Sequence, residues 1–260
     1  MDRLHLFEWE DQEWFPSIFR NFITDHLEFH GRRVYVPAMQ KLAQELERTG
    51  HSEVVDLCSG GGGPLAMLQP ELSKQHGRPV QVVLTDLFPN SEAFRAIEEN
   101  SKGNITFRAD SVSAMDCPED LDGFRTIFTA LHHFRPEGAQ KILGDAMKKR
   151  KPIAAFEASE RKLLSLITIP PTMFLGSFLL TPFLGKPSPI RLLFTYIIPL
   201  APLFFAWDAV VSCLRTYSPK ELKKLTGDLV AEGYTWEIGQ ISSSMYLMPY
   251  KITYVIGRPN

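Results

Sequence analysis

Residues 54–68 read VVDLCSGGGGPLAML: a β-branched run ending in an acid, four consecutive glycines, a proline, and apolar residues again. Glycine loses more conformational freedom on folding than any other residue, so four of the chain's 17 in one place need a cause. Such a stretch predicts a strand, a sharp backbone turn and a helix, with Pro64 at the helix start, where its missing N–H costs nothing. In an open α/β sheet that turn lies outside the strands' carboxyl ends, where these folds bind ligands.

The flanking sequence supports the same architecture. EVVDLC, VQVVLTD, NITFRAD, RTIFTAL and PIAAFEA read as strands, with helical patterns between them; the clearest of these is 136–150. Alternation of this kind signifies a parallel sheet covered on both faces. SPKEL at 218–222 is a capping box opening a helix expected to run to Gly233. YTWEIGQIS and KITYVIG then follow without a helix between them and predict an antiparallel hairpin. The expected fold is therefore α/β: a seven-stranded, mostly parallel, doubly wound sheet with a C-terminal antiparallel hairpin. Two amphipathic helices, about 14–29 and 34–49, come first. The predicted partition is a helical cap over 1–50, a core over 51–160, an apolar helical insertion over 161–215 after the fifth strand, and 216–260 completing the core.

Spacing alone leaves a dinucleotide site open, since GGGG is compatible with G-x-G-x-x-G. A carboxylate before the turn disfavours it, because it would repel a pyrophosphate. Asp56-Leu57-Cys58-Ser59-Gly60-Gly61-Gly62 instead resembles motif I of the class I S-adenosylmethionine-dependent methyltransferases, acid-x-Gly-x-Gly-x-Gly, with Cys58 in place of the first glycine. Asp86, after the second strand, stands where the family has an acid for the ribose hydroxyls. Asp110 and Ser111, after the third, stand where the adenine is met. The resemblance covers residues 50–160 and implies S-adenosyl-L-methionine as cofactor. It adds Leu87 and Thr129 to the cofactor-binding set.

Transfer from an activated methyl needs a positioned nucleophile and, for a protonated acceptor, a base. His132 and His133, past the fourth strand, and Glu157, ending the fifth, are the candidates; histidine's near-neutral titration suits the task. Trp14, Phe15, Tyr35 and Tyr217 are candidate substrate-pocket residues, the first three through helices expected to cap the cofactor mouth. The Asn/Asp-Pro-Pro-aromatic motif of amino-group methylation is absent, and no metal triad is evident.

Composition narrows the partners. A formal net charge of -2 gives no basic excess for nucleic acid, and Cys58, Cys117 and Cys213 have neither metal nor disulfide-framework spacing. The acidic N-terminus lacks a signal-peptide core, so a cytoplasmic location is expected. The least ordinary segment is 163–207, where Lys186 and Arg191 are the charges and seven prolines fall. Those prolines predict interrupted helices, unable to span a bilayer comfortably. A lid around a hydrophobic small molecule or lipid, or peripheral or monotopic membrane contact, fits that composition; an ordinary buried helical pair is the plain alternative. The expected activity is methyl transfer to a hydrophobic small molecule or lipid. Its alternatives are an O- or C-methyltransferase of a soluble secondary metabolite, and a membrane-associated scaffold that binds the cofactor without catalysis.

Overall fold

The computed structural model describes residues 1–185, 188–245 and 248–260. In chain order the helices are α1 (Ser17–Val34), α2 (Val36–Thr49), α3 (Gly63–His76), α4 (Ser91–Asn100), α5 (Pro136–Lys148), α6 (Leu163–Leu180), α7 (Pro189–Leu192), α8 (Leu200–Arg215) and α9 (Pro219–Gly227). The strands are β1 (Glu53–Asp56), β2 (Gln81–Leu84), β3 (Ile105–Phe107), β4 (Phe124–Phe128), β5 (Ile153–Glu157), β6 (Tyr234–Met245) and β7 (Met248–Pro259). The chain divides into a helical unit, 1–31 with 159–217, and a sheet unit, 32–158 with 218–260.

The sheet has the order β3-β2-β1-β4-β5-β7-β6. The first five strands run parallel, and β7 enters antiparallel between β5 and β6, as the sequence predicts. Every residue of β4 and β5 is buried, which is how strands covered on both faces behave. That burial extends to Arg125, whose guanidinium is held by Asp145 at 2.7 Å. Local signals set the helix ends. Asn90 caps α4 by accepting from the Ala93 amide, and Ser218 and Glu221 form the expected capping box of α9. The helix after it stops at Gly227 rather than Gly233. The Leu229 amide turns back onto the Thr226 carbonyl, leaving Val230 in solvent.

The expected cap over 1–50 is divided between the units. α2 buries Ala38, Met39, Leu42 and Leu46 within the sheet unit, packing on α3 and β6, whereas residues 17–31 of α1 group with the insertion. Amphipathic spacing shows that a face is buried, not what buries it.

Within the helical unit, Trp9, Phe15, Phe19 and Phe204 form an aromatic cluster with neighbouring ring centroids 4.8–5.9 Å apart. α6 corrects one expectation: it runs through Pro170 and Pro171 unbroken, and with a 3-10 turn to Phe183 makes 21 continuous uncharged residues. Proline's fixed φ is itself helical, so each proline forfeits mainly a donor. Nearby, the Thr168 and Thr172 hydroxyls donate to the Leu164 and Thr168 carbonyls, both at 2.7 Å. The return arm is interrupted, as expected. α7 passes into a π turn over Leu193–Ile197, and α8 leaves it at an angle of 71° beside Pro199. Asp208, where the apolar run ends in sequence, lies inside α8 and accepts from the Trp9 amide at 2.8 Å. Lys186 lies outside the described residues.

Candidate active site

The strand order reverses between β1 and β4, and the crevice at such a switch point is the binding place of open α/β sheets. The glycine turn stands there. Cys58, Gly60, Gly62 and Gly63 all have positive φ, at 60°, 55°, 117° and 60°. At Gly62 the requirement is doubled, because a Cβ would lie 2.3 Å from Ile97 Cδ1 of α4. Beside Gly60 and Gly63 a Cβ would meet nothing within 4 Å, so the backbone itself lines open space. Cys58, where the motif has glycine, adopts the conformation that glycine takes without strain.

Asp56 is buried and serves the loop. Its Oδ2 accepts from the Ser59 hydroxyl at 2.8 Å and its Oδ1 from the Thr126 hydroxyl at 2.6 Å. Burial pushes its carboxyl up to about 7, and the Asp86 charge adds to this against the pull of the two hydroxyls. Asp86 sits across the turn: its Oδ2 accepts from the Gly60 amide at 2.8 Å, its Oδ1 from the Phe88 amide at 2.9 Å. One carboxylate therefore ties the glycine turn to the end of β2 while keeping lone pairs for further donors. Ser111 donates to the Leu87 carbonyl at 2.6 Å, joining the segments after β2 and β3. Asp110 projects into solvent beside Arg108, with its side chain 86% exposed.

At the ends of β4 and β5 a second cluster forms. His132, on a 3-10 turn over Leu131–His133, shares Nδ1 with Glu157 Oε2 at 2.7 Å, and its amide donates to Oε1 at 3.2 Å. Both side chains are buried. The His133 ring lies against that of His132, centroids 4.3 Å apart. Tyr35 and Thr129 are hydrogen-bonded through their hydroxyls, and the Tyr35 ring meets Phe128 edge-on. Burial, then the nearby Glu157 charge, pushes the Tyr35 phenol up. Thr129 holds φ 53°, an unusual conformation for a β-branched residue.

The structure thus gathers Asp56, Cys58, Ser59, Gly60, Gly61, Gly62 and Asp86 at one turn, and Tyr35, Thr129, His132 and Glu157 at two adjacent strand ends. Trp14, Phe15 and Tyr217 belong to the helical unit. There Trp14 is largely exposed, Phe15 lies in the aromatic cluster, and Tyr217 is buried with the Arg3 guanidinium 4.1 Å from its ring centroid. Sequence reading misses Thr126. A hydroxyl inside an otherwise apolar strand is a signal, but only the register that sets Asp56 opposite Thr126 gives it meaning.

No protein-family model matches the chain, and no curated protein sequence matches it. Solved structures do resemble it. One is the plantazolicin methyltransferase BamL in complex with triazolic desmethylPZN analog and SAH: TM-score 0.59, 11% identity, covering 97% of this chain and 93% of that one. Another is the plantazolicin methyltransferase BpumL in complex with SAH: TM-score 0.59, 13% identity, with the same coverage. At such identities the likeness is one of fold, and the fold is that of the class I methyltransferases.

Proposed function

We propose that this chain, built on the class I methyltransferase fold, transfers a methyl group from S-adenosylmethionine to a hydrophobic small-molecule or lipid acceptor. The observation that carries the reading is the Gly60–Asp86 contact at the sheet's switch point. There a carboxylate able to accept ribose hydroxyls is fixed against a turn whose glycine backbone borders open space. The donor set fits the cofactor: Asp86 for the ribose, the segment joined by Ser111 and Leu87 for the base, and the Gly60–Gly63 backbone for close approach. When bound, the cofactor supplies a methyl already activated on a sulfonium. Asp56 holds the turn rather than the ligand, since its carboxyl is buried against Ser59 and Thr126.

The chain's own chemistry lies with His132. Glu157 fixes the ring through Nδ1 and the backbone amide, and the proton given up by an acceptor would pass to this imidazole. A buried carboxylate beside it stabilises the imidazolium that forms when a hydroxyl, carboxyl or carbon acid gives up its proton. Tyr35, anchored by Thr129, fixes one wall of the same cluster.

The test is label transfer from methyl-labelled S-adenosylmethionine to a lipid extract and, in parallel, to a polar metabolite extract. Label in the apolar fraction is the expected result. Label confined to the polar fraction would favour the second reading, a soluble natural-product acceptor, which the likeness to the plantazolicin enzymes supports at the level of fold. Cofactor binding without transfer to either would leave a binding scaffold.

A further inference from the structure

In segment 163–207 the usual placement of polar and apolar side chains is reversed. Among its described residues, the exposed side chains of large residues are Leu, Ile, Phe, Pro, Tyr and Trp, and no charged side chain is exposed. Ser165, Ser177, Thr181, Thr195 and Arg191 face inward. The Ser177, Thr181 and Thr195 hydroxyls donate to carbonyls one turn back at 2.6–2.8 Å, needing no water. Arg191 pairs with Asp25 and lies over the Phe22 ring, 5.3 Å from its centroid. Charged groups in hydrocarbon behave this way: they turn inward and pair. Water selects the opposite arrangement.

We propose that 163–207 is a helical hairpin inserted into the hydrocarbon of a lipid bilayer, which makes this an integral membrane protein; the inference stands apart from the methyl-transfer reading. Three observations select a bilayer over another occupant. In an 18-residue apolar stretch within Leu163–Phe183 only 22% of the residues are buried, so this is not a core helix. At 1.5 Å per residue the 21 residues of Leu163–Phe183 extend about 31 Å, against a hydrocarbon thickness of ~30 Å. The exposed row Ile167, Pro171, Leu175, Leu179 and Phe183 recurs every four residues, and so winds through about 160° of the helix. Acyl chains cover such a winding row whatever its contour. Both ends of the hairpin lie on one side, because the Ser159 and Thr216 hydroxyls are bonded and Arg161 Nη1 donates to the Thr216 carbonyl at 3.1 Å.

The full chain should float with phosphatidylcholine vesicles, which carry no net charge. It should remain with them through high salt and alkaline carbonate, and be released by detergent. The Leu175→Glu/Leu179→Glu/Ile197→Glu variant changes only exposed positions and should lose flotation at least tenfold while keeping the wild-type circular dichroism. Should that variant misfold, Phe183→Trp provides an independent reading: its added fluorescence should be quenched by lipids brominated on their acyl chains. Wild-type protein left unfloated, release by salt alone, a discrete water-soluble dimer, or no quenching at Trp introduced for Phe183 would each overturn the proposal.

Discussion

The sheet unit and the helical unit solve the burial problem in opposite ways. In β4 and β5 the buried residues are mostly apolar, and the polar exceptions, Arg125, Thr126 and Glu157, meet Asp145, Asp56 and His132. In 163–207 Ser165, Ser177, Thr181, Thr195 and the Arg191 guanidinium are inside, while Leu175, Leu179, Phe183 and Ile197 are among the most exposed residues. One chain therefore follows two rules of burial, and this teaches that the solvent, not the sequence's average hydropathy, decides which side chains turn inward. A composition that is 44% hydrophobic overall conceals the contrast.

Five changes would break or sharpen it. The largest effect is expected from His132→Ala, which should cut kcat about 10²–10⁴-fold by removing proton transfer. Cofactor affinity by calorimetry should stay unchanged; full activity would make the His132–Glu157 pair architecture. Asp25→Ala leaves Arg191 buried and unpaired, a loss of about 3–5 kcal/mol, to be read as accelerated proteolysis within the helical unit. Retained resistance would mean that Arg191 reaches water and that the inversion is less complete. Asp86→Ala should weaken S-adenosylmethionine by about 1.5–3 kcal/mol, as hydrogen bonds to a charged group are lost, and unaltered calorimetric affinity would remove the ribose role.

The fourth concerns pH. Asp56 has its folded pKa raised to about 7 from an ordinary 3.8, so between those values the native state holds a proton that the unfolded chain has released. Its contribution to stability is complete below the lower value and is lost as pH rises through the upper one. Asp56→Asn should therefore gain melting temperature relative to wild type across that window and level off above it; groups common to both proteins cancel in the difference. A flat difference would show Asp56 to be an ordinary ionised acid. The smallest effect is expected at Cys58, where φ is 60°. Cys58→Gly relieves a left-handed penalty of about 1–2 kcal/mol and adds chain entropy of about 0.5–1 kcal/mol, a net gain of up to about 1.5 kcal/mol. Calorimetric melting would detect it.

The strands were legible because β-branched runs and turn residues act locally, and the Ser218–Glu221 box because its bonds are local too. Asp56 and Asp86 were legible as acids ending the first two strands; their meeting across the turn, through the Gly60 amide, was not. What the sequence hid depends on contacts remote along the chain: Thr126 under Asp56, and α1 siding with the insertion. Pro170 and Pro171 misled for a different reason. The rule that prolines break helices rests on a lost donor and a clash with the carbonyl four residues back, and α6 continues past two of them all the same.

The entry of β7 between β5 and β6 bears on how the protein is made. Ile153 pairs with Gly257, so the β5 edge waits for about a hundred further residues. At roughly 5–20 residues per second that interval is about 5–20 s. All of 163–207 leaves the ribosome within it, while β5 still presents an unpaired edge. The hairpin is thus available to a bilayer before the sheet is complete, so a membrane can receive a nascent chain rather than a finished protein.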